Sequence, residues 1–349
     1  MPKRVVVDSH IHLWPEETAN ETGHAWMTPG MPLAMPHLLS DYYRASGQGY
    51  YSGDVDTRVS GVVYIETDVR YDTHSDDVAT FVKGPLDEIA FLRRVVEGAY
   101  DERDSDMLLG IVPWAPMDRP PSVLKEYLRL AELRAGERAW ARVKGFRFLL
   151  QSIHDQESFA QLVLSNDFIS NLKELGKRRF SFDVGVDQRS GGIWQLELVA
   201  RATQLAHQDV AEDEKVVFVI NHLCKPNLTG ERTEFEAWCK AVSDMAGCGE
   251  TFMKLSGAFS ELPPGLREID DIVIHLRPWV AQVLKCFRPR RIMFGSDWPV
   301  CNVNGPRKQD SWAAWKDVVK LLFDDEELGL SEVDKDWIWQ GTARDAYRL

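Results

Sequence analysis

The sequence predicts an α/β protein built as a single (β/α)8, or TIM, barrel, and three observations carry that prediction. Eight short runs are apolar almost throughout, as parallel strands buried on both faces require. Segments with a 3.6-residue apolar period separate them. Titratable residues gather just beyond the runs, at the strand ends where barrels carry their chemistry.

The strand-like runs are residues 5–7, 62–65, 108–112, 143–149, 180–184, 216–220, 252–255 and 292–294. Helical periodicity marks residues 86–96, 123–133, 159–175, 193–205, 235–245, 269–287 and 311–322. Pro121-Ser122 and Gly176 supply a start and a stop signal. An open doubly wound sheet is the competing architecture, but no Gly-x-Gly-x-x-Gly follows the first strand. The expectation is one domain over residues 1–349, with a long insertion at residues 15–59. That insertion is too long for a simple βα loop and carries Trp26, Tyr42, Tyr43, Tyr50 and Tyr51. Its place after the first strand makes it a wall of the substrate pocket; a surface loop packed on its own aromatics is the alternative.

Composition bounds the function. The chain is 44% hydrophobic and 27% charged, ordinary values for a globular protein. Its net charge of −13 argues against nucleic-acid and anionic-membrane partners, since both call for clustered cations. The five cysteines are scattered without a CxxC pair, which fits a reducing compartment and neither a disulfide framework nor a zinc ribbon. No signal peptide precedes the first strand and no apolar stretch reaches membrane-spanning length, so a cytoplasmic protein is expected. A homo-oligomer is compatible with the sequence, which does not fix the oligomeric state.

The candidate site begins at Asp8-Ser9-His10-Ile11-His12-Leu13-Trp14. Residues i and i+2 of a strand share a face, so His10 and His12 project together and offer two nitrogens to a metal. The bland alternative packs one in the core and leaves the other in a loop. The other strand ends contribute Glu66, Lys144 and Arg147, Asp183, Asn221-His222, Lys254 and Ser256, and Ser296-Asp297. Asp297 follows a buried strand, where a carboxylate needs a metal or a cation; an N-cap or an ion pair with Arg291 is the structural alternative. His222 is a ligand or a general acid/base, or else a core histidine bonded to a carbonyl. Lys144 and Arg147 sit on opposite strand faces, and Arg147 is favoured as the inward one. Its fork suits substrate hydroxyls or a carboxylate, or otherwise a salt bridge to Asp183 or Glu66. The remaining histidines lack such company and are read as packing or surface residues. Gly-x-Ser-x-Gly is absent and no cysteine sits in a nucleophile pattern, which leaves attack by an activated water.

The motifs resemble the amidohydrolase superfamily, in its amidohydrolase-2 branch, and within it the sugar-acid lactonases of the L-fuconolactonase and L-rhamnonolactonase kind. The resemblance rests on the 8–14 stretch, Val143-Lys144-Gly145-Phe146-Arg147, Asn221-His222-Leu223-Cys224-Lys225-Pro226, Lys254-Leu255-Ser256-Gly257 and Phe294-Gly295-Ser296-Asp297-Trp298-Pro299-Val300. The chain departs from the family at Cys224, where glycine is usual, and at Thr342, where asparagine is usual. The resemblance implies a metal-dependent hydrolase that opens the ring of a small sugar-acid lactone. It implies one divalent ion, zinc by preference, at His10, His12 and Asp297, with Asp297 and His222 catalytic and Arg147, Glu66 and Trp298 binding substrate. A metal-dependent decarboxylase of hydroxylated aromatic acids is the alternative, and a non-enzymatic scaffold the third reading.

Overall fold

A computed structural model describes residues 3–49 and 56–349. The eight apolar runs form β1 (Arg4–Ile11), β2 (Thr57–Ile65), β3 (Leu108–Val112), β4 (Gly145–Phe148), β5 (Ser181–Val184), β6 (Val217–Ile220), β7 (Thr251–Leu255) and β8 (Ile292–Phe294). Every neighbouring pair within the two hydrogen-bonded sheets, β1–β3 and β4–β8, is parallel. Single bridges join the sheets into a ring: Ile111 with Val143 and Trp114 with Arg147 on one seam, Ile11 with Trp298 on the other. Helices follow the strands on the outside, as a (β/α)8 barrel demands.

Side-chain alternation divides the core in two. Val7, Val63, Ile65, Val112, Val217, Val219 and Met293 meet one another across the ring, which only inward-pointing residues can do, and Ala343, Ala346 and Tyr347 pack against them from the C-terminus. The residues between them, Val62, Tyr64, Phe146, Phe182, Phe218 and Phe294 among others, join the larger cluster beneath the helices. Among the described residues, no helix is long and apolar enough to cross a membrane.

Element boundaries differ from expectation in instructive ways. The single helix anticipated over 159–175 is two, Gln156–Val163 and Asn166–Lys177. Ser165 separates them, its Oγ accepting the Phe168 N–H at 3.1 Å as an N-cap. Helix Pro121–Trp140 outruns its apolar period and kinks at Gly136, whose φ of 66° glycine alone adopts without strain. The 15–59 stretch contributes a short turn, Glu16–Thr18, and a helix, Leu39–Ala45. Tyr42 and Tyr43 turn into the core rather than toward a pocket, while Tyr50 and Tyr51 lie outside the described residues.

Glu88, on helix Lys83–Val96, fastens that helix to the end of β2. Its buried Oε1 accepts from Tyr64 Oη at 2.7 Å, Thr67 Oγ1 at 2.9 Å and Thr67 N at 3.1 Å, while Oε2 has no partner among the described residues. Burial, with the Glu66 charge nearby, pushes its pKa up to about 7. Because the folded value lies above the unfolded one, Glu88 contributes its full stability below about pH 4.5 and loses it as pH rises through about 7. Glu88→Gln, which mimics the protonated acid, is therefore expected to gain on the wild type by roughly 3 kcal/mol between pH 4.5 and 8. Urea midpoints at the two pH values check this; a constant difference would show that Glu88 is ionised throughout.

Candidate active site

Asp8 sets the geometry of β1. Its Oδ2 accepts Tyr42 Oη and Trp312 Nε1, each at 2.9 Å, and its Oδ1 accepts the N–H groups of Ser296 at 2.8 Å and His10 at 3.3 Å. Those partners put Asp8 in the outer layer, one residue after the inward-facing Val7. Strict alternation would then send His10 outward too. The register of β1 against β2 instead shifts between Asp8 and Ile11, and the irregularity turns His10 and His12 inward. The seam to the last strand is completed by Ser9 Oγ donating to the Phe294 carbonyl at 2.7 Å. Asp297 N donates to His10 O at 2.9 Å and His12 N to Trp298 O at 2.8 Å.

Three donor atoms converge there. His10 Nε2 and His12 Nε2 are 3.2 Å apart, and Asp297 Oδ1 lies 3.5 and 3.4 Å from them. Ligands about 2.0–2.1 Å from a tetrahedral zinc stand about 3.3–3.4 Å from one another, so this triangle has the size of one tetrahedral face. His222 Nε2 approaches the same carboxylate oxygen at 3.7 Å. All four residues are buried, and His10, His12 and Asp297 make a candidate metal centre. Arg291, the alternative partner for Asp297, spends its donors on the carbonyls of Phe287 and Ala246 instead.

The surroundings fix ring orientation and charge. His12 Nδ1 donates to the Ile65 carbonyl at 2.9 Å, which leaves Nε2 unprotonated and free to bind an ion. His10 Nδ1 lies 3.2 Å from Lys254 Nζ, which is 2.7 Å from Asp183 Oδ2; Tyr347 Oη donates to the same carboxylate at 2.9 Å. Burial, opposed by Asp183, brings Lys254 down to about 8, so at neutral pH its ammonium stands between the Asp183 carboxylate and His10 Nδ1. Burial and the Lys254 charge hold His10 well below the usual histidine range. Burial likewise lowers His222 to about 3, so it is a neutral imidazole. For Asp297, burial alone would raise the pKa, but His222, His12 and Lys225 outweigh it and keep the carboxylate ionised.

Backbone strain is concentrated at these residues. His222, Leu223, Cys224 and Lys225 all have positive φ, at 55°, 54°, 65° and 43°, and Asp297 has φ 60°. Each such residue costs about 1–2 kcal/mol. The turn is held by Trp238 Nε1 donating to Leu223 O at 2.8 Å and Gln188 N donating to Cys224 O at 3.2 Å. It points His222 back at the barrel mouth, where its Nδ1 hydrogen-bonds Ser256 Oγ at 2.9 Å. Gly257 (φ 66°) lies so close that a Cβ there would fall 2.5 Å from His222 Nδ1.

A cleft of about 380 Å³ opens above this floor. Trp14, Trp26, Met31 and Leu33 are among its lining, so the 15–59 stretch does reach the pocket; Asp68, Arg147, Gln151 and Lys225 are among its polar residues. A larger cavity, about 890 Å³, lies between residues 15–24 and helix Lys83–Val96, and contains none of His10, His12, His222 or Asp297. The chemistry is in the smaller one.

Arg147 faces inward as anticipated and borders the cleft, with Nε 2.5 Å from Glu66 Oε1 and a second bond to the Glu66 carbonyl at 2.8 Å. Two expectations change. Glu66 is fully buried, and its Oε2 accepts the Asp68 N–H at 2.5 Å, so both oxygens are committed and the side chain stands behind the cleft. Trp298 is also buried, edge-on to His37 and Tyr42 in the outer layer, because the chain pairs with Ile11 there. Its carbonyl, not its indole, serves the site. Sequence reasoning missed the anchoring role of Asp8, the hold of Ser256 on His222, and Asp68. Asp8 alone left a signal: a charge at the end of a β-branched buried run.

A protein-family model described as Amidohydrolase matches residues 7–349. The chain is 29% identical to an L-rhamnono-gamma-lactonase of Scheffersomyces stipitis over the whole of both chains. It is 26% identical to an L-fucono-1,5-lactonase of Burkholderia multivorans, over 98% of this chain and 96% of that one. Among solved structures it is similar to an amidohydrolase from Burkholderia multivorans with bound zinc, at TM-score 0.72 and 25% identity, covering 99% of each chain.

Asp8→Asn sets an amide NH2 or a lone acceptor against four donors and is expected to cost roughly 2–4 kcal/mol, read from the urea midpoint. A wild-type midpoint would mean the carboxylate is not what closes the seam. Gly257→Ala is expected to cost about 1–3 kcal/mol and to displace His222. A crystal structure of that variant with an unmoved imidazole would refute the close packing.

Proposed function

We propose that this chain, which belongs to the amidohydrolase family, hydrolyses the ring ester of small sugar-acid lactones of the L-rhamnono- and L-fucono-lactone type. The observation that carries the reading is the Asp297 carboxylate oxygen, buried at a barrel mouth within 3.7 Å of three imidazole nitrogens. Its supports in substrate class are the two full-length lactonase relatives. In this reading the whole chain, 1–349, is one barrel domain with an insertion at 15–59. It works in the cytoplasm, which five cysteines without a disulfide support.

His10, His12 and Asp297 are proposed to hold one divalent ion. Two imidazoles and a carboxylate at tetrahedral spacing favour zinc. Such an ion, when bound, supplies Lewis acidity that polarises a carbonyl and makes water a better nucleophile near neutral pH. The protein's own groups do the rest. Asp297, kept ionised, accepts a proton from the water as its oxygen bonds to the lactone carbonyl carbon. It returns that proton to the ring oxygen as the carbonyl carbon–oxygen bond of the ring breaks, leaving a hydroxy acid. His222, neutral and held at Nδ1 by Ser256, presents Nε2 to the carbonyl oxygen as an uncharged donor. Arg147, with its charge secured by Glu66, faces substrate hydroxyls from the cleft wall. A decarboxylase of aromatic acids, the other class this donor set serves, has no such support: neither curated relative named above is one.

Asp297→Asn is expected to lower kcat/KM about 10²–10⁴-fold on L-rhamnono-γ-lactone, followed as acid release with a pH indicator. His10→Ala should act as severely. Dialysis against a chelator should abolish turnover and zinc should restore it. Full activity in protein shown to be metal-free by mass spectrometry would remove the ion from the mechanism, and inertness toward a broad lactone panel would remove the lactonase reading.

A further inference from the structure

We propose that Asp68 is the residue that selects polyhydroxylated substrates in this cleft, by accepting hydrogen bonds from substrate hydroxyls. This rests on the lactone reading above and deepens it.

The cleft is lined by two carboxylates, Asp68 and Asp297. Asp297 Oδ1 faces the nitrogens of His10, His12 and His222. Glu66, the strand-end carboxylate the sequence suggests for hydroxyl binding, is buried behind the cleft with Arg147 on one oxygen and the Asp68 N–H on the other. The Asp68 carboxylate, by contrast, has no hydrogen-bond or ion-pair partner among the described residues, although it shares the cleft with His12, Arg147, His222 and Asp297. Trp14, Trp26, Met31 and Leu33, also in the lining, offer largely apolar side chains. A substrate carrying several hydroxyls meets one unengaged charged acceptor.

The carboxylate is also held for the task. Asp68 has φ 57°, a left-handed conformation that aspartate tolerates better than most residues and that persists only where its surroundings impose it. The imposing contact is its own N–H on Glu66 Oε2 at 2.5 Å, and Glu66 is in turn fixed by Arg147 Nε at 2.5 Å. Burial, with the Glu66 charge, raises the Asp68 pKa to about 6, which leaves it an ionised acceptor at neutral pH. A site that hydrogen-bonds a substrate hydroxyl discriminates against the analogue without it far more strongly than an apolar pocket discriminates by size.

The test pairs Asp68→Asn and Asp68→Ala with two lactones of one ring size, L-rhamnono-γ-lactone and γ-valerolactone, which lacks the hydroxyls. Asn keeps the shape and the left-handed tolerance and removes the charge. The expected result is a fall of about 10–100-fold in kcat/KM on the hydroxylated lactone, carried by KM, and a fall of about threefold or less on γ-valerolactone. An equal loss on both lactones, or no loss on either, would overturn the proposal. If the wild-type protein opens no lactone, the preceding reading fails, and calorimetric binding of L-rhamnonate then decides Asp68 separately. Binding by the wild type that weakens about tenfold or more in Asp68→Asn supports the role; equal affinity, or none in the wild type, overturns it.

Discussion

One buried carboxylate organises the molecule. Asp8 gathers a phenol from helix Leu39–Ala45, an indole from helix Ser311–Phe323, a backbone N–H from the turn after β8 and another from its own strand. A charge removed from water in this way is costly, and burial indeed drives its pKa upward against the pull of Ser296, Trp312 and Tyr42. What the four bonds achieve is closure. The ring of strands is continuous through hydrogen-bonded sheets except at two seams, and Asp8 pins the one between β1 and β8. His10 and His12 hang from one side of that seam and Asp297 from the other, so the spacing of the donor triangle is set by how tightly Asp8 draws the two ends together.

Around that seam the same burial produces opposite charge states in neighbouring groups. It neutralises His222 and His10, whose charged forms are cations without sufficient compensation. It fails to neutralise Asp297, because cationic and imidazole neighbours outweigh it. A base that stays ionised beside imidazoles that stay neutral is the arrangement that water activation and ion binding both need. The strained turn at His222–Lys225 is what brings the last imidazole to this place. Cys224, with φ 65°, carries at that point a strain that glycine would not have.

Much of this was legible in the residues, and the limits of legibility have physical causes. Eight strands could be found because strands buried on both faces must be apolar along their length. His10 and His12 could be paired because the side-chain period of a strand is two, and Asp297 stood out as a charge beyond a buried run. What could not be seen depended on contacts distant in sequence. The irregularity in β1 that separates Asp8 from His10 by face is a property of its pairing with β2. Trp298 turns away from the cleft because its backbone joins β1, a fact no local pattern records. The break in the 159–175 helix is different: Ser165 was there to be read as a cap, and apolar periodicity on both sides concealed it.

Glu66 and Asp68 show the same limit at the finest scale. Both are acids at the end of one strand, and composition gives no reason to prefer either as a substrate contact. Arg147 makes the distinction. By binding Glu66 it converts that carboxylate into a support, and the support fixes the backbone of Asp68 with its own carboxylate unspent. Charge balance across the cleft then divides the labour. Arg147 is matched by Glu66, and Lys225 by Asp187 and Glu261. Among the described residues, the negative charges left unmatched at the cleft by any cationic side chain within ion-pair distance are Asp297 and Asp68. In the proposed chemistry the first is offset by an ion and the second by the hydroxyls of the substrate, so the two unmatched charges answer the two things the protein itself does not contain.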